Sequence, residues 1–234
     1  MKADDFVLVA GMRDTRGALA RWNAAPWPVL RVWLGGALLV ASTLLFAVWV
    51  IASVSTADET PMSLPGLTGD ATLTDVLHIL YRNSLVLALH ACACVAGFIA
   101  GSSLPMQAER HSGWWRTVHE KAGPAAIVFV AAATTFSLCT QAYVLGSGAS
   151  TLAAQIDVSR SVLMQTLLPH AVLELVALFL PLAAWMVASR REAWNELLAA
   201  TAVTTAIAAP VLILAATIEV YLWPRLLLLA SPLG

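Results

Sequence analysis

The sequence predicts an all-α protein, a polytopic transmembrane helical bundle of about five spans. Two observations predict it. Of 234 residues, 59% are hydrophobic and 12% charged, against roughly 25% charged in a soluble domain. Apolar runs long enough to cross a bilayer recur along the chain, flanked by prolines, arginines and tryptophans. No stretch outside them is long enough to bury a separate core. The expected organisation is therefore a cytoplasmic or interfacial N-terminal segment, residues 1–28, and one transmembrane domain, residues 29–234. The first apolar run is too long for a signal-peptide core and reads as a retained span. A net charge of −1 excludes a basic nucleic-acid face. Cys92, Cys94 and Cys139 lie within apolar runs and read as small buried hydrophobes, since their spacing matches no zinc or disulfide framework.

The elements follow in order. Residues 1–28 carry Lys2, Arg13, Arg16 and Arg21 ahead of Pro26 and Pro28 and read as a membrane-surface segment. Span one runs from about Val29 to Val54, with Arg31, Trp33 and Trp49 as interfacial anchors. A loop rich in acids, glycine and proline follows, and Thr74 or Asp75 caps the next helix. Span two, about Asn83 to Gly101, follows an amphipathic approach and carries Ala93, Gly97 and Gly101 as a small-residue ridge for close helix packing. A polar connector from Leu104 to Gly123 holds Arg110, Arg116, Lys121, His111 and His119. Pro124 opens span three, which ends near Gly146. An amphipathic piece, about Thr151 to Thr166, leads to Pro169 in the first turn of span four. The tight connector SRREAWNE makes spans four and five antiparallel neighbours. Pro210 interrupts the backbone bonding of span five, about Leu197 to Trp223.

Positive charge sets the expected orientation. The N-terminal segment with Arg31 holds five lysines and arginines, the 104–123 connector three and the 189–196 connector two, against Arg82, Arg160 and Arg225 on the opposite side. The N-terminus is therefore expected inside and the C-terminus outside.

The chain is organised around Leu167 to Arg191, where His170 and Glu174 stand four residues apart on one helix face in an otherwise apolar run. Counting from the expected outer ends at ~1.5 Å per residue puts Glu174 about 7 Å deep, Glu219 about 6 Å, Gln141 about 9 Å and His90 about 10 Å. His170 lies just above them. Glu174 and Glu219 are the carboxylates well inside spans, and such residues pair or mark a site. Two readings stay open for them, a functional site or a polar lock between spans four and five. His170 is expected to bond Glu174 and position it. His90 and Gln141 are additional candidates, although a buried His is more often a packing residue. If a metal is bound, zinc on His170, Glu174 and Glu219 would suit imidazole and carboxylate ligands. The spacing lacks the second histidine of HExxH, and no nucleophile elbow, P-loop or dinucleotide fingerprint occurs. No cofactor is required by the sequence.

Leu168-Pro169-His170-Ala171-Val172-Leu173-Glu174-Leu175, the segment Ala209-Pro210 to Ile218-Glu219 and the pair Trp223-Pro224 together resemble the stage II sporulation protein M family. Arg82-Asn83-Ser84 resembles that family's asparagine-rich approach to a span. The likeness covers residues 76–226 and carries Asn83, Pro169, His170, Glu174 and Glu219 as motif residues. Ala171 stands where the family pattern has glycine, and His90 has no counterpart. The resemblance implies a multi-pass cell-membrane protein working in a complex with peptidoglycan-degrading or peptide-maturing partners. The leading expectation is thus a non-enzymatic membrane component that scaffolds or docks other membrane proteins. The alternatives are an intramembrane metal-assisted peptidase or peptide cyclase, and a proton-coupled transporter or permease subunit. The bilayer is an expected partner and a homo-oligomer stays open.

Overall fold

The computed structural model describes residues 7–58, 62, 64–108 and 112–231. It is 88% helical, without strands among the described residues. Six long helices form it: α1 Val7–Ala24, α2 Trp27–Val54, α3 Leu73–Ser103, α4 Trp114–Gln155, α5 Arg160–Arg191 and α6 Trp194–Ala230. α2 to α6 are long and apolar enough to cross a membrane, so the expected all-α fold with five helices of membrane-crossing length is present. His111 and Arg110 lie outside the described residues.

By contact the chain forms two compact units: residues 1–37, 87–134 and 179–207 in the first, and 38–86, 135–178 and 208–234 in the second. In the first, Trp33 is 4% exposed and meets Trp22 of α1 edge to face, ring centroids 5.1 Å apart. It is a packing residue rather than the expected interfacial anchor. The Gly97/Gly101 ridge serves packing within this unit. A Cβ on Gly97 would come within 2.8 Å of Trp185 Nε1 and Leu197 Cδ1, and one on Gly101 would run into the Trp194 ring. Cys94 is buried and donates through Sγ to the Pro181 carbonyl at 3.1 Å. Cys92 and Cys139 are exposed, which corrects the expectation that all three are buried.

In the second unit the long loop is tied to α4. Ser150 Oγ donates to the Ser55 carbonyl at 2.9 Å, and the Asp58 and Met62 N–H groups donate to Thr151 Oγ1 and Gln155 Oε1 at 3.0 Å each. Leu152, Ile156, Leu163, Trp223 and Leu227 form a core where the end of α4 meets the start of α5 and the end of α6. α3 begins at a reciprocal cap. Thr72 donates from N and Oγ1 to Asp75 Oδ2 at 2.8 and 2.7 Å, and Asp75 N donates back to Thr72 Oγ1 at 3.4 Å. Thr72, not Thr74 or Asp75, is therefore the capping residue, and Asp75 fills the acidic position of the capping box.

Two helices start earlier than expected. Pro124 lies inside α4, and Pro169 lies inside α5, nine residues after its start at Arg160. Ser159 begins α5 by accepting the Val162 N–H on Oγ at 3.2 Å. The apolar side chains between it and Pro169 then earn their helical turns by packing, with Leu163 0% exposed. An interior proline forfeits one backbone bond, a loss that membrane helices tolerate where neighbours pack on them.

Candidate polar site in the second unit

α6 carries Glu219 on a widened turn. Ile218–Leu222 is π-helical, and the Trp223 N–H donates to the Ile218 carbonyl five residues back. The cause is in the sequence. Pro224 has no N–H to give the Val220 carbonyl, and its ring would clash with that carbonyl in a regular α-turn. Adding one residue to the turn relieves the conflict, and such bulges re-aim side chains, often at functional positions. The same pattern recurs in α3, where the π-turn Ile99–Ser103 ends two residues before Pro105. Around Glu219, Ala216 and Val220 are buried against Val76. One turn on, Trp223 Nε1 donates to Thr166 Oγ1 of α5 at 3.4 Å. The carboxylate is thus held between two anchored turns.

Glu219 opens onto a cavity of about 480 Å³ whose polar wall is completed by Arg82 and Asn83 of α3, Gln141 of α4 and Glu174 of α5. Both carboxylates are half-buried and near enough for their charges to repel, while the exposed Arg82 guanidinium attracts both from beyond ion-pair distance. Asn83 is only 8% exposed. Its side chain faces Glu174, yet its Nδ2 makes no hydrogen bond of ordinary length. Gln141 Nε2 donates to Ser137 Oγ at 3.1 Å. Leu85, Val144 and Leu178 supply apolar wall.

The structure therefore gathers Asn83, Glu174, Glu219 and Gln141. It does not gather the other candidates. His170 is 4% exposed, with its ring 5.4 Å from the Trp223 indole. Among the described residues its Nδ1 has no partner and no hydrogen bond reaches Glu174, so the expected positioning bond is absent and the ring packs beside the indole instead. Pro169 is exposed on α5. His90 belongs to the first unit, buried edge to face against Phe179 at 5.4 Å. The error was one of level. α3 begins at Leu73, so Asn83 is not at the end of the span, and His90 lies about 10 Å further along the axis. Among the described residues no three His, Cys, Asp or Glu side chains converge as a metal would need. His170, Glu174 and Glu219 therefore do not form the expected ligand set. Arg82 also lines the cavity; the sequence reading used it for orientation and in the Arg82-Asn83-Ser84 resemblance but not as a site residue, and its place beside Asn83 was the available signal.

Comparison with protein-family models, with curated proteins and with solved structures finds no match to this chain.

Proposed function

We propose that the chain is an integral component of a multiprotein complex in the cell membrane, docking partners through the acid-lined cavity of its second unit. The reading keeps the motif resemblance to stage II sporulation protein M, and with it the N-terminus in and the C-terminus out. One observation carries it. Glu174 and Glu219, from different helices, open together onto a cavity instead of closing on each other. A polar lock would join buried carboxyls to donors across the helix interface. Among the described residues, Glu219 makes no side-chain hydrogen bond.

Affinity purification from native membranes tests it. Specific proteins should accompany the wild type and be lost from Glu219→Gln that elutes and melts like the wild type. Wild type purifying alone, or an unchanged partner set on Glu219→Gln, would refute it. Repelling carboxylates beside a guanidinium also suit a proton-coupled permease subunit, for which proton-linked flux in liposomes, abolished in Glu174→Gln, is the distinguishing result.

A further inference from the structure

The chemistry of the cavity wall specifies its occupant further than docking alone. Glu174 and Glu219 offer only acceptors, and Arg82 and the Asn83 amide nitrogen offer donors. Asn83 Nδ2 is the informative group. It lies on the cavity wall, more than nine-tenths buried, on a side chain that faces the Glu174 carboxylate but with no acceptor at hydrogen-bond distance. A buried donor of this kind is costly unless an acceptor meets it. A simple cation would draw the Glu174 carboxylate away from Asn83 and leave the Arg82 guanidinium without a counter-charge. A simple anion would meet the donors and be repelled by the acids.

We propose that the cavity binds a zwitterionic group in which a primary ammonium is joined closely to an oxyanion. The ammonium lies between Glu174 and Glu219, and the oxyanion faces Arg82 and Asn83 Nδ2. A primary ammonium directs three N–H donors in different directions, which suits carboxylates arriving from two helices. Two sources carry this chemistry: the phosphoethanolamine headgroup of a bilayer lipid and a free amino acid. The apolar side chains of Leu85, Val144 and Leu178 in the same wall accommodate the glycerol and first acyl carbons of the lipid. The inference rests on reading the cavity as a recognition site, whatever protein the chain also docks.

Delipidated full-length protein is offered phosphatidylethanolamine, its mono- and dimethyl derivatives and phosphatidylcholine, all with the same acyl chains, and bound lipid is counted by native mass spectrometry. Methylation removes N–H donors while keeping charge and phosphate, so retention should fall stepwise, by about tenfold (~1.4 kcal/mol) or more across the series. The selectivity should vanish in Glu174→Gln/Glu219→Gln, while Asn83→Leu should lower the retention of all four lipids together. Because the methylation series uses wild-type protein alone, it decides even if the variants fail to fold. Separate arms with soluble phosphoethanolamine and alanine identify the source: competition by alanine at equal or lower concentration assigns a free amino acid, and competition by neither assigns the lipid. Equal retention of phosphatidylethanolamine and phosphatidylcholine, with no competition by alanine, would overturn the proposal. If that occurs while protein capture still depends on Glu219, the docking reading survives. If selectivity holds but no protein is captured, the docking reading alone fails.

Discussion

Glycine-to-alanine exchange at two helix-interior positions should shift stability in opposite directions. At Gly146 of α4, a Cβ would lie 2.7 Å from both Cβ and Cγ2 of Ile51 and 3.0 Å from the Val48 carbonyl oxygen of α2. Carbon atoms prefer about 3.5 Å or more, so the helices must part by about 0.8 Å. Neither neighbour yields easily, because Ile51 is branched at Cβ with a stiff χ1 and the Val48 oxygen is backbone. Overpacking of this kind costs about 1–3 kcal/mol. The alanine regains about 0.5–1 kcal/mol of helix preference, leaving a net loss of up to about 2.5 kcal/mol, centred on about 1 kcal/mol. At Gly35 of α2 nothing lies within 4 Å of the added carbon, so Gly35→Ala should gain the helix-preference term alone, about 0.5–1 kcal/mol. Thermal unfolding in one detergent, followed by circular dichroism, reads both, at about 2–4 °C per kcal/mol for a chain of this size. A Gly146→Ala protein as stable as the wild type would refute the close α2–α4 approach.

Other perturbations have equally definite signs. Gly66 has φ +79°, and an added Cβ would meet Pro224 Cγ at 2.9 Å. Gly66→Ala should therefore cost at least about 1–2 kcal/mol for the left-handed backbone alone, seen as a lowered Tm. Asp75→Ala removes the reciprocal cap of α3 and should cost about 0.5–2 kcal/mol, with faster amide exchange confined to that helix's first turn. Arg21→Ala removes the 2.6 Å ion pair to Glu196, whose side chains are 61% and 31% exposed. Such a pair is worth about 1 kcal/mol or less, and Tm should barely move.

The spans were legible because a bilayer demands long apolar runs, and composition records that demand directly. The helix ends were not. α4 stops where Asp157 adopts φ 54° and the Val158 N–H reaches back to the Ala153 carbonyl at 3.0 Å, and α5 stops where Glu192 adopts φ 56° and the Ala193 N–H reaches Ala188. These are Schellman closures, normally signalled by glycine, and here an aspartate and a glutamate hold the left-handed position. Pro124 and Pro169 mislead in the opposite way, looking like starts although packing carries the helix through them. In the site, Glu174, Glu219 and Gln141, put at one level by counting residues along an axis, line one cavity. The counting placed His90 wrongly because the outer end of span two was set at Asn83, ten residues after the helix begins at Leu73. It could not foresee that the Trp223 indole would pack beside His170, since Trp223 directly follows the π-turn that carries Glu219. The turn itself could be inferred from the Trp-Pro pair, given that an interior proline requires a local adjustment.

The account depends on the carboxylates of α5 and α6 facing one cavity. Glu174→Cys and Glu219→Cys, combined in a chain whose three native cysteines are replaced by serine or alanine, allow a direct test in intact membranes with a short bifunctional maleimide. The account predicts an intramolecular cross-link that shifts gel mobility, with no such shift for either single cysteine. Absence of the cross-link, with both thiols shown to react individually, would contradict it.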